Sequence, residues 1–327
     1  MLQALVAYRN GQAHRRPQQT IAYITHWETK SGWRDVAAEF NYFLGADRKA
    51  TERGYQLEHF SLAEAGMTPR RLSDMLYHRG IKGAILASHR ANQELLNDMD
   101  WPRLAVIKIG LFPRKPNFCR VICDNFGALR QGIRAIVEAG YQRIGLVLPR
   151  QLDDLADQAW TSAFLVEQSL NKAATLLPIL YRESWPQSAI AGEFGSTANL
   201  AALERWFSIH QPEVILGFSP ECLRDLKTLG LSVPHDVAFA DLSLIDEDDR
   251  VAGLWADGEK AGEVAIELLL NQMERNIYGV PSTATTTLVE GAWRAGTSLP
   301  TKEADSIASA RRHKVLQEGL LAVRQAV

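Results

Sequence analysis

The hydrophobic pattern changes period repeatedly along the chain. Between about residue 20 and residue 298, short apolar runs alternate with segments whose apolar positions recur every three or four residues. Residues 21–24 read as a strand, 36–53 as a helix stopped by Gly54, and 57–60 as a second strand. A helix carrying Leu72, Met75 and Leu76 comes next, then apolar strands at 83–87 and 104–107. From Phe126 onward, Leu129, Ile133, Ile136 and Val137 share one helical face, which ends at Gly140 ahead of a strand at 144–148. The order then repeats: helix near 160–170, strand 179–180, helix 200–207, strand 214–216, helix 223–229 and strand 237–239.

Strand–helix–strand alternation predicts parallel sheets covered by helices on both faces. Both halves carry it, and one sheet of ten or more strands is unusual, so the fold class expected is α/β with two doubly wound lobes. Ligands of such folds sit at the carboxyl ends of the strands, which predicts a crevice lined by loops of both lobes. A further strand at 251–255 and a helix burying Ala261, Val264, Ala265, Leu268 and Leu269 complete the pattern, and periodicity alone does not say which lobe they join. Residues 305–327 follow Pro300 and carry many charges, so they read as a loosely attached tail, with a partner helix as the alternative.

Composition narrows the field. At 327 residues, 46% hydrophobic, 23% charged and a net charge of −2, this is an ordinary globular chain with no global bias toward nucleic acid or membrane. No apolar run reaches the roughly 18 residues of a membrane span, and residues 1–9 lack the continuous apolar core of a secretory signal, so a cytoplasmic location is expected. Cys119, Cys123 and Cys222 are odd in number and have no neighbouring histidines to complete a zinc site, which predicts structural thiols. The acidic run Asp246 to Asp249 reads as a solvated loop rather than a cation site. With no P-loop, nucleophile elbow, His-Glu-x-x-His or nucleotide fingerprint, neither catalysis nor a cofactor is expected.

Three motifs in register carry a family resemblance. Val121-Ile122-Cys123-Asp124-Asn125 leads through a helix to Gly140-Tyr141-Gln142-Arg143-Ile144-Gly145. This resembles the LacI/GalR transcription regulators, where a strand ending in Asp-Asn precedes a helix and Gly-His-x-x-Ile-Gly; Tyr141 stands in place of the histidine. Gly230-Leu231-Ser232-Val233-Pro234-His235-Asp236-Val237 is similar to the family's Gly-Leu-x-Val-Pro-x-Asp-Val, and the stretch from Arg294 to Ser298 resembles its closing element. The resemblance implies a periplasmic-binding-protein-like type I fold with three crossovers. Residues 20–140 and 249–282 would form the first lobe, 141–248 and 283–299 the second, 1–19 a hinge helix and linker, and 300–327 a tail.

In that family a helix-turn-helix domain precedes a hinge helix; residues 1–9 read as a short amphipathic helix that resembles the hinge, so a regulator core without its main DNA reader is expected. The resemblance implies that Leu2 or Leu5 wedges into the minor groove, with Arg9 as a further DNA contact and His14-Arg15-Arg16 as a basic linker. The alternative is a frayed end docked on the body through Leu2, Leu5 and Val6.

Candidate effector-binding residues lie on the loops that end the strands. Trp27, Trp33 and Arg34 follow the first strand and offer aromatic faces and a cation suited to polyols; Trp33 as a packed staple is the alternative. Ser88, Lys108 and Asp124 end three further strands. In the second lobe the family's effector-gripping arginine is Trp160, its Asn-Asp pair is Ser219-Pro220, and its strand-end aspartate shifts to Asp241 or Ser243. Trp160 can stack on a ring or plug the cleft. The function expected is a sugar-responsive homodimeric regulator core that reaches operator DNA through its hinge helix or within a longer gene product. A stand-alone solute-binding protein and a DNA-free dimerisation partner are the alternatives.

Overall fold

A computed structural model describes residues 19–27, 29–89, 93–112, 114–182, 197–244 and 249–302. Leu2, Leu5, Arg9, the basic run, Asp246 to Asp248 and the tail beyond 302 lie outside the described residues.

The chain opens with β1 (Gln19–His26), α1 (Ala37–Glu52), β2 (Tyr55–Ser61), α2 (Pro69–His78), β3 (Gly83–His89), β4 (Ala105–Ile109) and β5 (Arg120–Cys123). It continues through α3 (Asn125–Glu138), β6 (Arg143–Pro149), α4 (Arg150–Leu155), α5 (Ala159–Leu170), β7 (Thr175–Leu176) and β8 (Leu180–Arg182). Next come α6 (Thr197–His210), β9 (Val214–Gly217), α7 (Glu221–Thr228), β10 (Ala238–Leu244) and β11 (Ala252–Trp255), and last α8 (Gly258–Glu274), β12 (Thr286–Val289) and β13 (Ala292–Arg294). Local chemistry marks the helix starts. Thr68, Asp124 and Asp257 accept hydrogen bonds from the backbone N–H groups of Arg71, Gly127 and Lys260, satisfying donors the first turn leaves open.

Two compact units result, one holding the chain to Cys123 and Asp257–Val289, the other Asp124–Ala256 and the chain from Glu290. The chain therefore passes between units three times, as the resemblance implied, but at different places. Helix α3, expected in the first lobe, belongs to unit 2. Strand β11, expected to rejoin the first lobe, pairs with β10; β12, expected in the second, pairs with β5. Each crossing falls at the end of a strand, so every strand keeps its ladder. Gly253 permits the β10–β11 pairing, because a Cβ there would stand 2.4 Å from the Asp241 carbonyl oxygen. Ser298 ties the same two strands by donating to the Phe239 carbonyl at 2.7 Å and accepting from the Ala252 N–H at 2.9 Å.

Unit 1 is a parallel sheet ordered β12-β5-β4-β3-β1-β2. Alternate residues feed opposite cores. Ile21, Tyr23, Ile85 and Ile107 pack with α1 and α8, while Ala22, Ile24, Leu86 and Val106 pack with Leu72 and Leu76 of α2. Helices α1 and α8 meet backbone to backbone at Gly45 and Gly262: a Cβ would stand 1.8 Å from the Glu259 oxygen at the first and 2.1 Å from the Tyr42 oxygen at the second.

Unit 2 is ordered β13-β11-β10-β9-β6-β7, with β8 also pairing β6, and only β13 runs antiparallel. The start of the expected tail is fastened to this unit. Tyr141 Oη donates to the Pro300 carbonyl at 2.8 Å, and Lys302 Nζ reaches Glu213 at 2.6 Å. Cys222 is buried, and Cys119 and Cys123 are half-buried free thiols, as expected. No helix among the described residues is long and apolar enough to cross a membrane, and none of their His, Cys, Asp and Glu side chains form a group that could hold a metal.

Candidate functional site

In unit 1 the strand ends carry an aromatic cluster. Trp33 lies 5.5 Å from Tyr23, 5.3 Å from Phe43 and 5.2 Å from the His59 ring, centroid to centroid. Trp33 is fully buried and Trp27 is 5% exposed, so both belong to the core on the α1 side of the sheet. The packed staple is what the structure holds, and neither indole face is open to a ring. Exposed Arg34 lies over the Trp33 and Phe43 rings, its guanidinium 5.2 and 5.7 Å from their centroids. His59, within 2.8 Å of Thr25 Oγ1, has its pKa lowered to about 4 by burial and by the Arg34 and Lys30 charges.

Lys108, expected to face the crevice, is instead fully buried. It shares a strand face with Val106, and its ammonium donates to the Leu111 carbonyl at 3.3 Å. Burial, reinforced by Arg120 and Arg114, brings its pKa down to about 8. Ser88 is placed in β3 by its backbone. Asp124 spends its carboxylate on the α3 cap, accepting from Gly127 N–H at 2.9 Å, so it is a structural group of unit 2.

Unit 2 gathers three of the candidates. Asp241, 3% exposed on β10, is flanked in register by Gly217 of β9 and Gly253 of β11, which let the neighbouring strands pack closely on it. Ser219 Oγ donates to its Oδ2 in a short hydrogen bond, and Ser243 N–H donates to its Oδ1 at 2.9 Å. Burial raises the Asp241 pKa above the usual carboxylate value against the pull of these bonds, and the Glu221 charge adds to the rise. Glu221, at the first position of α7, has a buried Oε2 with no hydrogen-bond partner among the described residues. Trp160 is packed edge to face on Phe218 at 6.0 Å in the same unit's core, 6% exposed. It is wall rather than platform.

The structure adds cations that the motif comparison did not anticipate. Pro149 of β6 is in register with Arg182 of β8, so Arg150 and Arg182 stand together at the carboxyl ends of paired strands. Arg182 pairs with Asp225, and the Arg150 guanidinium lies 4.1 Å over the Tyr181 ring. Tyr181 Oη is 2.6 Å from Thr161 Oγ1, which donates to buried Asp153. Guanidinium groups therefore stand at this strand edge, although Trp160 holds the place where the sequence resemblance implied an arginine. Only the pairing of a three-residue strand reveals them.

No protein-family model matches the chain, and no curated protein does. Solved structures match over most of its length. The transcriptional regulator CelR in complex with cellobiose is 19% identical, with 90% of this chain and 89% of that one covered and a TM-score of 0.59. A LacI-family regulator from Enterococcus faecium with bound ribose is 14% identical, covering 86% and 99%, with a TM-score of 0.57. A LacI regulator from a Rhodococcus species is 15% identical, covering 86% and 99%, with a TM-score of 0.60. The fold is the periplasmic-binding-protein-like fold of these regulators. This chain shares it in two units, each built on a parallel-dominated sheet.

Proposed function

We propose that the chain is the sensing core of a LacI-type transcription regulator. In this reading it binds a small polar effector of the sugar class at the strand ends of unit 2, acts as a homodimer and is not an enzyme. The observation that carries the reading is the Ser219–Asp241–Ser243 network beside the unpartnered Glu221 oxygen, set on the fold of regulators of which two are complexes with cellobiose and ribose. Polyols present many hydroxyl donors, and buried carboxylates with a vacant acceptor position are the groups that recognise them. Arg182 and Arg150 supply planar donors on the neighbouring strand edge. Effector occupancy would control DNA binding through a hinge helix, with Leu2 and Leu5 as the minor-groove wedge and Arg9 beside it, on the family resemblance of that segment.

The test is a thermal-shift panel of cellobiose, ribose, other sugars, sugar phosphates and nucleobases on the purified chain. A ligand at about 100 times its Kd adds about 2.7 kcal/mol, a rise of several degrees. The rise should disappear in Asp241→Ala. A panel without any shift, or a shift that survives Asp241→Ala, overturns the site. Light scattering of the same sample tests the dimer.

A further inference from the structure

A cavity of about 630 Å³ opens in unit 1 at the amino ends of β3 and β4, away from the carboxyl-end loops that carry the aromatic cluster. Its size is that of a small-molecule site. Tyr77, Tyr278, Lys82, Arg103 and Asp100 supply the chemistry of its lining.

The walls are tied in place from several elements. Ser73 of α2 accepts from the Asp100 N–H at 2.9 Å, which fixes the turn carrying Asp100 and Arg103. Gly279 N–H donates to the Leu104 carbonyl at 2.9 Å and brings Tyr278 beside the start of β4. Gly279 adopts φ +83°, a left-handed conformation that glycine takes without strain.

The charges do not cancel. Arg103 is paired with Asp100 at 3.0 Å and lies 4.2 Å over the ring of Tyr77, which is 56% exposed. Lys82 is exposed, and among the described residues no hydrogen bond or ion pair engages its ammonium. One cation thus remains uncompensated beside two tyrosine rings. A guanidinium held over one ring and paired through its Nε keeps further N–H donors at its outer end.

We propose that this cavity is a second ligand site, for a small planar anion: an aromatic or heterocyclic ring bearing a carboxylate or a phosphate. The ring lies against the tyrosines and the anion meets Lys82 and the free edge of Arg103. The site is separate from the effector face of unit 2 and does not depend on it.

The test is calorimetric titration of the full chain with benzoate, adenosine 5′-monophosphate, adenosine and inorganic phosphate. Benzoate or the nucleotide should saturate one site per chain, which also tells carboxylate from phosphate preference. Adenosine, without the anion, and phosphate, without the ring, should bind at least about tenfold more weakly. Lys82→Met and Tyr77→Ser, both at exposed positions, should each weaken binding about tenfold, Lys82→Arg should retain it, and Asp241→Asn should leave it unchanged. The proposal is overturned if neither benzoate nor the nucleotide saturates by roughly 5 mM. It is equally overturned if Lys82→Met and Tyr77→Ser, with unchanged thermal midpoints, bind like the parent.

Discussion

Replacing His59 with glutamine should flatten the acid limb of stability. The ring is held neutral inside the aromatic cluster, its pKa lowered from 6.5 to about 4, by burial first and by Arg34 and Lys30 next. A folded state that binds the proton less readily than the unfolded chain is favoured above the unfolded pKa. The contribution is thus complete above about pH 6.5 and drains away as the pH falls toward about 4. At about 1.4 kcal/mol per unit the full gap would amount to about 3 kcal/mol. Solvent reaches the half-buried ring, and screening brings the expectation to about 1–2 kcal/mol, roughly 3–6 °C of thermal midpoint. Glutamine keeps a polar partner within reach of Thr25 but carries no titrating charge. Parent and His59→Gln should therefore separate between pH 7 and pH 4.5, the parent losing the larger share, and an NMR titration should place the ring's midpoint near 4. Parallel pH profiles, or a ring that titrates near its ordinary value, would refute the burial argument.

Three further outcomes are expected. Gly262→Ala would push a methyl group against the Tyr42 carbonyl and force α8 off α1, at about 1–3 kcal/mol by chemical denaturation; a neutral result would mean the helices separate freely. Ser298→Ala strands the Ala252 N–H and the Phe239 carbonyl between β10 and β11, at about 2 kcal/mol, and hydrogen exchange should rise first at Ala252. Glu167, 4% exposed, receives both Arg130 and Arg134, whose guanidinium groups reach solvent, so Glu167→Leu should cost only about 1 kcal/mol, checked by chemical denaturation.

Most strands and helices were legible because each long enough segment shows one period. Ile21 to Ile24 alternates between two cores, and Leu129, Ile133 and Ile136 line one side of α3. Strands β7 and β13 are two and three residues long, too short for a period to register, and α4 is barely more than a turn. Lobe assignment failed for α3, β11 and β12 because it depends on ladder register between segments far apart, such as Thr286 with Arg120, which no local pattern encodes. At the site, only the positions of Ser219, Asp241 and Ser243 followed from the sequence, as residues that stand where the family resemblance places effector-contacting groups; their hydrogen bonds to one another depend on the β9–β10 register. Burial did not follow: Trp33, Trp160 and Lys108 have chemistry suited to a ligand, and only tertiary packing decides that they face inward. The Arg150–Tyr181 pair is likewise visible only once β8 is aligned on β6.

The three passages of the chain between units set an order for biosynthesis. When the ribosome has completed β11, every strand of unit 2 except antiparallel β13 exists, yet unit 1 still lacks α8, which covers one face of its sheet, and edge strand β12. The amino-terminal body must therefore wait for residues up to Val289 while its apolar Ile85, Ile107 and Val121 surface stands uncovered. Truncation before α8 should accordingly yield aggregates rather than an isolated folded unit 1.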